Sequence, residues 1–380
     1  MLFLPVWVIF MQDKFGLSLT EVTLNDSAFW LTMALTEVPT GAVADTWGRK
    51  QSQVIGMVIA TASILAFALA PAYSLVLLAN SLWAFGITFM SGADLALFYD
   101  TLRELGREEE YPKYRGRLQA STLVAVAASS VLGGLIGEFS LVSTFIITAV
   151  LMAMGTGFLL LLKEPPREKD EESGETLSYL RTLQVTFGAI RSQPELLYAL
   201  LFSNLLPLLG GTIQVTFMQP YAMSIGLPIA ALGVIALGLR ASQFVGALST
   251  QRFTKWLGEW GWLWTAPVLV VAGVLSLGLF DSLAGIVLFA LTGFANSATR
   301  PLMERIILRQ TPGAVRATIL SVDSLFYWIL LAMVGPVIGM IADRYDLQVA
   351  FTSMGIFFGL MLLMVLLLWG REKRRVSAPA

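Results

Sequence analysis

The chain has 380 residues, 56% of them hydrophobic and 13% charged, with a net charge of −1 and a mean hydropathy of +0.73. Soluble domains carry about 25% charged residues, so this composition excludes a soluble fold and indicates an all-α polytopic membrane protein. The absence of cysteine and histidine rules out disulfides and thiolate chemistry. It also removes the usual proton carrier at physiological pH, leaving carboxylates for any proton relay. No zinc, haem, phosphate-loop or nucleotide motif occurs, so no cofactor, no metal and no nucleic-acid partner is expected.

Taken in order, the apolar opening Met1–Met11 has neither a basic leader nor a small-residue cleavage site, which argues against a signal peptide. As a helix it covers about 16 Å, roughly half of a hydrocarbon core. It reads as the outer half of a first span that is short or truncated at its N-terminus, ending near Gln12. Further apolar runs predict spans at 27–44, 52–70, 75–98, 118–138 and 141–162. A polar stretch, 163–195, follows, and its second part, 175–192, suits an amphipathic helix at the membrane surface. Spans at 196–222, 229–249, 262–280, 284–307, 317–341 and 349–370 complete the set. The predicted organisation is a six-helix bundle over 1–162, a linker over 163–195, a second six-helix bundle over 196–370 and a tail over 371–380.

Charge placement gives an orientation. Of the 25 Lys and Arg, all but Lys14, Arg240, Arg300 and Arg344 fall in loops or helix ends assigned to one side. By the positive-inside rule that side is cytoplasmic, as are both termini. An internal repeat accompanies the two halves. Gly41-x-x-x-Asp45 and Gly134-x-x-x-Glu138 end spans two and five; Gly246-x-x-x-Thr250 and Gly339-x-x-x-Asp343 end spans eight and eleven, at the same separation. Spans two and five run in opposite directions, the arrangement of inverted three-helix repeats.

The stretch Glu37-Val-Pro-Thr-Gly41-Ala-Val-Ala-Asp45-Thr-Trp-Gly48-Arg49-Lys50 ends span two in a glycine turn, a boundary carboxylate and two cations. It resembles the loop between helices two and three of major facilitator superfamily transporters, with Gly41, Asp45, Gly48, Arg49 and Lys50 matching; Thr46 departs where the family usually has a cation. Span four ends Ser91-Gly-Ala-Asp94-Leu-Ala-Leu-Phe-Tyr99-Asp100, and span eleven runs from Arg316 through Ser321-Val-Asp323 to Asp343-Arg344. The resemblance covers essentially the whole chain. It implies the major facilitator fold, two bundles around a central cavity, and alternating access. It also implies that Gly41, Asp45, Gly48, Arg49 and Lys50 form a conformational latch, with Asp45 meeting the start of helix eleven near Ala317; Arg49 can add a bond to Asp100 or to Asp94 of span four. Drug/proton antiporters of this family often carry a proline on helix five, absent from Ser130-Val-Leu-Gly133-Gly134; that counts against drug efflux.

Ionisable groups in a span are expensive and default to functional hypotheses. Glu37 and Asp94 are the candidate proton-coupling groups, each with a structural alternative: a helix hydrogen bond for Glu37 and a basic partner for Asp94. Asn204, Gln214 and Gln219 on span seven, Arg240 on span eight, and Asn296 and Arg300 on span ten are the candidate substrate-cavity residues. Trp30, Trp83, Tyr327 and Trp328 offer stacking surface, or pack the bundle.

The expected function is secondary transport of a small organic solute across the cytoplasmic (inner) membrane, proton-coupled, with efflux slightly favoured. The expected partners are that solute, protons and the lipid bilayer, and the expected state is a monomer. A nutrient importer or uniporter of the same fold is the alternative. A membrane enzyme acting on lipids is a rival from another class, but the loops hold no catalytic cluster for it, and no enzymatic activity is expected.

Overall fold

The structure is a computed structural model and describes residues 1–91, 93–164, 193–311 and 316–377. Among these every regular element is helical. The predicted amphipathic helix at 175–192 lies outside the described residues.

The first half comprises α1 (Trp7–Phe15), α2 (Leu19–Trp47), α3 (Arg49–Leu69), α4 (Tyr73–Met90), α5 (Ala93–Glu104), α6 (Tyr111–Phe139) and α7 (Leu141–Leu161), with a short 3₁₀ turn at Glu108–Glu110. The second comprises α8 (Pro194–Thr212), a π-helical turn (Ile213–Phe217), α9 (Met218–Ser224), α10 (Ile229–Leu279), α11 (Leu283–Gln310), α12 (Arg316–Arg344) and α13 (Leu347–Ser377). Nine helical runs among the described residues are long and apolar enough to cross a membrane. The predicted spans 229–249 and 262–280 are two helices that run through α10 and meet at a kink, where Gly258 is non-helical (φ 72°, ψ 166°). The span predicted at 75–98 falls within one of these runs, Tyr73–Glu104, to which α4 and α5 both belong.

Local chemistry sets the boundaries. Gly16 takes the left-handed conformation that ends α1, its N–H donating to the Gln12 carbonyl. A capping box opens α2: Ser18 N–H donates to Glu21 Oε2 (2.9 Å) and Glu21 N–H to Ser18 Oγ (3.2 Å). Ser140 ends α6 and caps α7 by accepting from Ser143 N–H.

The chain divides into two compact units, Met1–Ser173 with Leu227–Leu237, and Gly174–Gly226 with Gly238–Ala380. In the first, an aromatic stack holds the short opening helix. Phe145 lies 4.6 Å from Phe3 and 5.2 Å from Phe67, ring to ring, and Leu2 N–H donates to Thr148 Oγ1 at 3.0 Å. Trp83 packs against Phe3 and Phe29 and so serves bundle packing, while Trp30 meets its helix neighbour Phe29 edge-on. In the same unit Gly134 of α6 meets Gly233, the two backbones approaching so closely that a Cβ on Gly134 would stand 2.7 Å from the Ala230 carbonyl oxygen. Such small-on-small contact lets membrane helices gain dispersion energy without a hydrophobic driving force. In the second unit Trp262, fully buried, donates its Nε1–H to Thr299 Oγ1 at 3.0 Å.

Candidate functional site

In the first unit, α2 stops at Trp47 because Gly48 turns the chain with φ 129°, a conformation other residues rarely adopt. The new helix start exposes unpaired N–H groups, and they are met from far along the chain. Glu164 accepts from Arg49 N–H through Oε1 and from Lys50 N–H through Oε2, both at 2.9 Å. A carboxylate on the positive end of a helix is favourable in both hydrogen bonding and dipole. The Arg49 guanidinium pairs with Asp100 of α5, and Lys50 Nζ donates to the Leu160 carbonyl at 2.9 Å. Gly48, Arg49, Lys50 and Asp100 thus come together around one turn. Gly41 lies along α2, with open space where a side chain would begin. Asp45 belongs to the last turns of α2.

Glu37 is half-buried on α2, two residues before the interior proline Pro39. Its Oε1 accepts from Ser91 Oγ at 3.3 Å, at the end of α4. The neighbouring Thr36 and Thr88 hydroxyls meet at 3.2 Å. Among the described residues no cation pairs with Glu37. Asp94 sits differently. It is exposed in the first turn of α5, where its Oδ1 accepts from Leu95 N–H at 2.8 Å, the place of a helix-start carboxylate.

The second unit separates the predicted cavity residues. Asn204 is buried on α8, and its Nδ2 donates to the Leu200 carbonyl (2.8 Å) and to Asp323 Oδ1 on α12 (2.5 Å). Ser203 Oγ adds a donor to the same carboxylate oxygen at 3.1 Å. Gln214 lies in the π turn, and its Oε1 accepts from Gln243 Nε2 of α10 at 2.9 Å. One turn before Gln243, the exposed Arg240 reaches Gln243 Oε1 at 3.5 Å. Asn296 of α11 faces Gly210 of α8, and its Oδ1 is buried without a hydrogen-bond partner. Gln219 is buried. Arg300 has a side chain that is 82% exposed and pairs with Glu304 one turn on, at 3.0 Å, with Asp323 and Tyr327 within reach of its charge.

Asp323, Gln243, Ser91 and Glu164 are the residues that sequence reasoning left out of the site. Asp323 carried a usable signal, being a carboxylate at the head of an apolar run, subject to the same insertion cost that singled out Glu37.

The family model of the Major Facilitator Superfamily matches residues 1–287. The chain belongs to the Major Facilitator Superfamily. Its architecture is the transporter fold of that superfamily, whose members are generally carriers rather than enzymes. Among solved structures it is similar to a mutant of the nucleoside transporter NupG, with a TM-score of 0.81, 15% identity and coverage of 97% of this chain and 95% of that one. It is also similar to a bacterial homolog of the human lysosomal transporter Spinster in an inward-facing, unoccupied conformation (TM-score 0.72, 16% identity, 97% and 93% covered). A D-xylose-proton symporter aligns with a TM-score of 0.69 at 13% identity, over 95% and 92% of the two chains. At such identities the likeness concerns the fold alone. No curated protein matches the chain in sequence.

Proposed function

We propose that this major facilitator transporter moves a small organic solute across the cytoplasmic membrane by proton-coupled alternating access. Both termini and residues 163–195 are on the cytoplasmic side. Glu37 is the proton carrier. What supports this is its setting: a carboxylate on a membrane helix, half-buried, with a neutral hydroxyl as its hydrogen-bond donor. A carboxylate without a cation is free to take up and release a proton as its surroundings change. Asp94 is the second candidate, at a more exposed position.

Gly41, Asp45, Gly48, Arg49 and Lys50, with Asp100, act as a latch that favours one conformer of the cycle, and the Arg49–Asp100 pair gives the turn a fixed anchor. Asn204, Gln214, Gln219, Arg240, Asn296 and Arg300 contact the solute, with Gln214 and Asn296 best placed by their interior amides. Export is the preferred direction, because the helices are largely apolar and bear many aromatic residues. Uptake of a hydroxylated solute is a second reading. The amides of Gln214, Gln243 and Asn296 suit hydroxyl groups, and one similar structure is a D-xylose-proton symporter.

The test is transport by purified protein in proteoliposomes under an imposed pH gradient, screened across a solute library. Glu37→Gln should abolish gradient-driven accumulation while exchange without a gradient partly survives. Wild-type gradient-driven rates in that variant would eliminate Glu37 as carrier.

A further inference from the structure

One end of the second unit holds a charged pocket whose lining includes none of the residues proposed to meet the solute. It has a volume of about 130 Å³, and its lining includes Glu195 of α8, Trp260 of α10, Arg309 and Gln310 of α11, and Trp369 and Lys373 of α13. Its aromatic side is ordered: Trp260 and Trp369 meet edge-on at 5.2 Å, and the Lys373 ammonium stands 4.8 Å over the Trp260 ring. Two carboxylates and three cations gather here. Glu259 is shared, held by Arg305 at 2.6 Å and by Arg309 only at 3.7 Å. Glu195 accepts from Gln310 Nε2 at 2.9 Å, a neutral donor that leaves its charge to the field of the site. Arg371, Arg374 and Arg375 flank Lys373 on the same helix end, with Glu372 among them, so the local balance remains positive.

One polar atom remains unanswered. Gln310 Oε1 is buried and accepts no hydrogen bond, and a buried acceptor in that condition calls for a donor. The pocket therefore presents Arg309, only loosely held by Glu259, together with the Lys373 ammonium to an anion, with an acceptor for a hydroxyl and indole rings beside them. Just before Gly258, Trp256 is 81% exposed, as expected of an aromatic side chain at headgroup depth.

We infer that this pocket binds the phosphodiester of an anionic phospholipid carrying a headgroup hydroxyl, as in phosphatidylglycerol. The phosphate lies against Arg309 and Lys373, a headgroup hydroxyl donates to Gln310 Oε1, and the acyl chains follow the apolar outer surface of the helices. Free phosphate shares the anion chemistry but has no acyl chains to keep it at the membrane. The inference does not depend on the identity or direction of the transported solute.

Native mass spectrometry of the full chain, released from nanodiscs of phosphatidylcholine with and without phosphatidylglycerol, reads the site directly. Phosphatidylglycerol should be retained over phosphatidylcholine, and Arg309→Gln and Lys373→Gln should each weaken retention about fivefold. Arg375→Gln, on the same tail but not lining the pocket, should leave it unchanged. Both pocket variants alter exposed side chains, and a thermal melt of each identifies any that fails to fold. Equal losses in all three variants would reduce the effect to diffuse surface charge and overturn the inference. Inorganic phosphate binding with the same Arg309 and Lys373 dependence, without lipid retention, would overturn it in favour of a soluble anion. No preference for phosphatidylglycerol in the wild type would overturn it outright.

Discussion

The contact between Asn204 and Asp323 makes a quantitative prediction, because the two sides of a buried hydrogen bond are not equivalent. Asn204 Nδ2 reaches Asp323 Oδ1 at 2.5 Å and also has the Leu200 carbonyl, whereas the donors to the carboxylate are Asn204 and Ser203. Asn204→Leu strips the partly buried carboxylate of its closer donor, a loss of about 2 kcal/mol, with Ser203 limiting the damage. Asp323→Leu leaves Asn204 with its backbone partner, so it should cost only about 1 kcal/mol. In the double variant no polar group is stranded, and the total should stay near about 1 kcal/mol rather than the sum. The expected coupling is therefore about 2 kcal/mol in favour of the pair. In a unit of this size, the single Asn204→Leu change should lower the thermal midpoint in detergent by roughly 4–8 °C. Introducing Asp323→Leu in addition should restore part of it. Additive melting shifts across the cycle would show that the two side chains do not depend on one another, and would refute the reasoning.

Three further outcomes are expected. Gly134→Ala should lower the melting temperature, since its new methyl meets the Ala230 carbonyl at 2.7 Å and overpacking of this kind costs about 1–3 kcal/mol; Gly41→Ala, placed in open space, should melt like the wild type. Asp45→Asn should leave solute affinity near normal while cutting turnover and raising cytoplasmic-side accessibility. Turnover falling only with protein level would make Asp45 a structural cap. A single cysteine introduced within 163–195 of this cysteine-free chain should resist an impermeant thiol reagent applied outside intact cells, and labelling there would invert the proposed topology.

Hydrophobic run length carried most of the fold. The spans read at 52–70, 141–162 and 284–307 fall close to α3, α7 and α11, because a membrane helix is defined by its own composition. Reading failed where neighbours decide. The separation of 229–249 from 262–280 is kept as a kink at Gly258, but the two helices run further into Gln251–Trp260 than their apolar stretches do; polar residues at a helix end keep helical propensity when nothing opposes it. The π turn at Ile213–Phe217 left no mark in an apolar sequence. The site was legible only in its residue types. Arg300 read as an intramembrane cation, and Glu304, its ion-pair partner one turn on, lay in the same predicted span without being read as one. Glu164 read as the second residue of a solvated linker; its role depends on Arg49 N–H and Lys50 N–H, which are 115 and 114 positions away in the chain. No local pattern encodes a partner at that distance. The Asn204–Asp323 pair was hidden for the same reason.

The cap that Glu164 places on α3 bears on where this polypeptide tolerates being cut. Its two hydrogen bonds hold the start of the third helix from a position just beyond the end of the seventh. A first half made as a separate polypeptide carries its own closure for the Gly48 turn only if it extends through Glu164. Fragments ending at Leu161 and at Glu164 differ by three residues yet should differ in whether that helix start is sealed. When the two halves are co-expressed as complementing pieces, the productive junction lies after this glutamate, and the longer first fragment is the one to which the second half should restore transport.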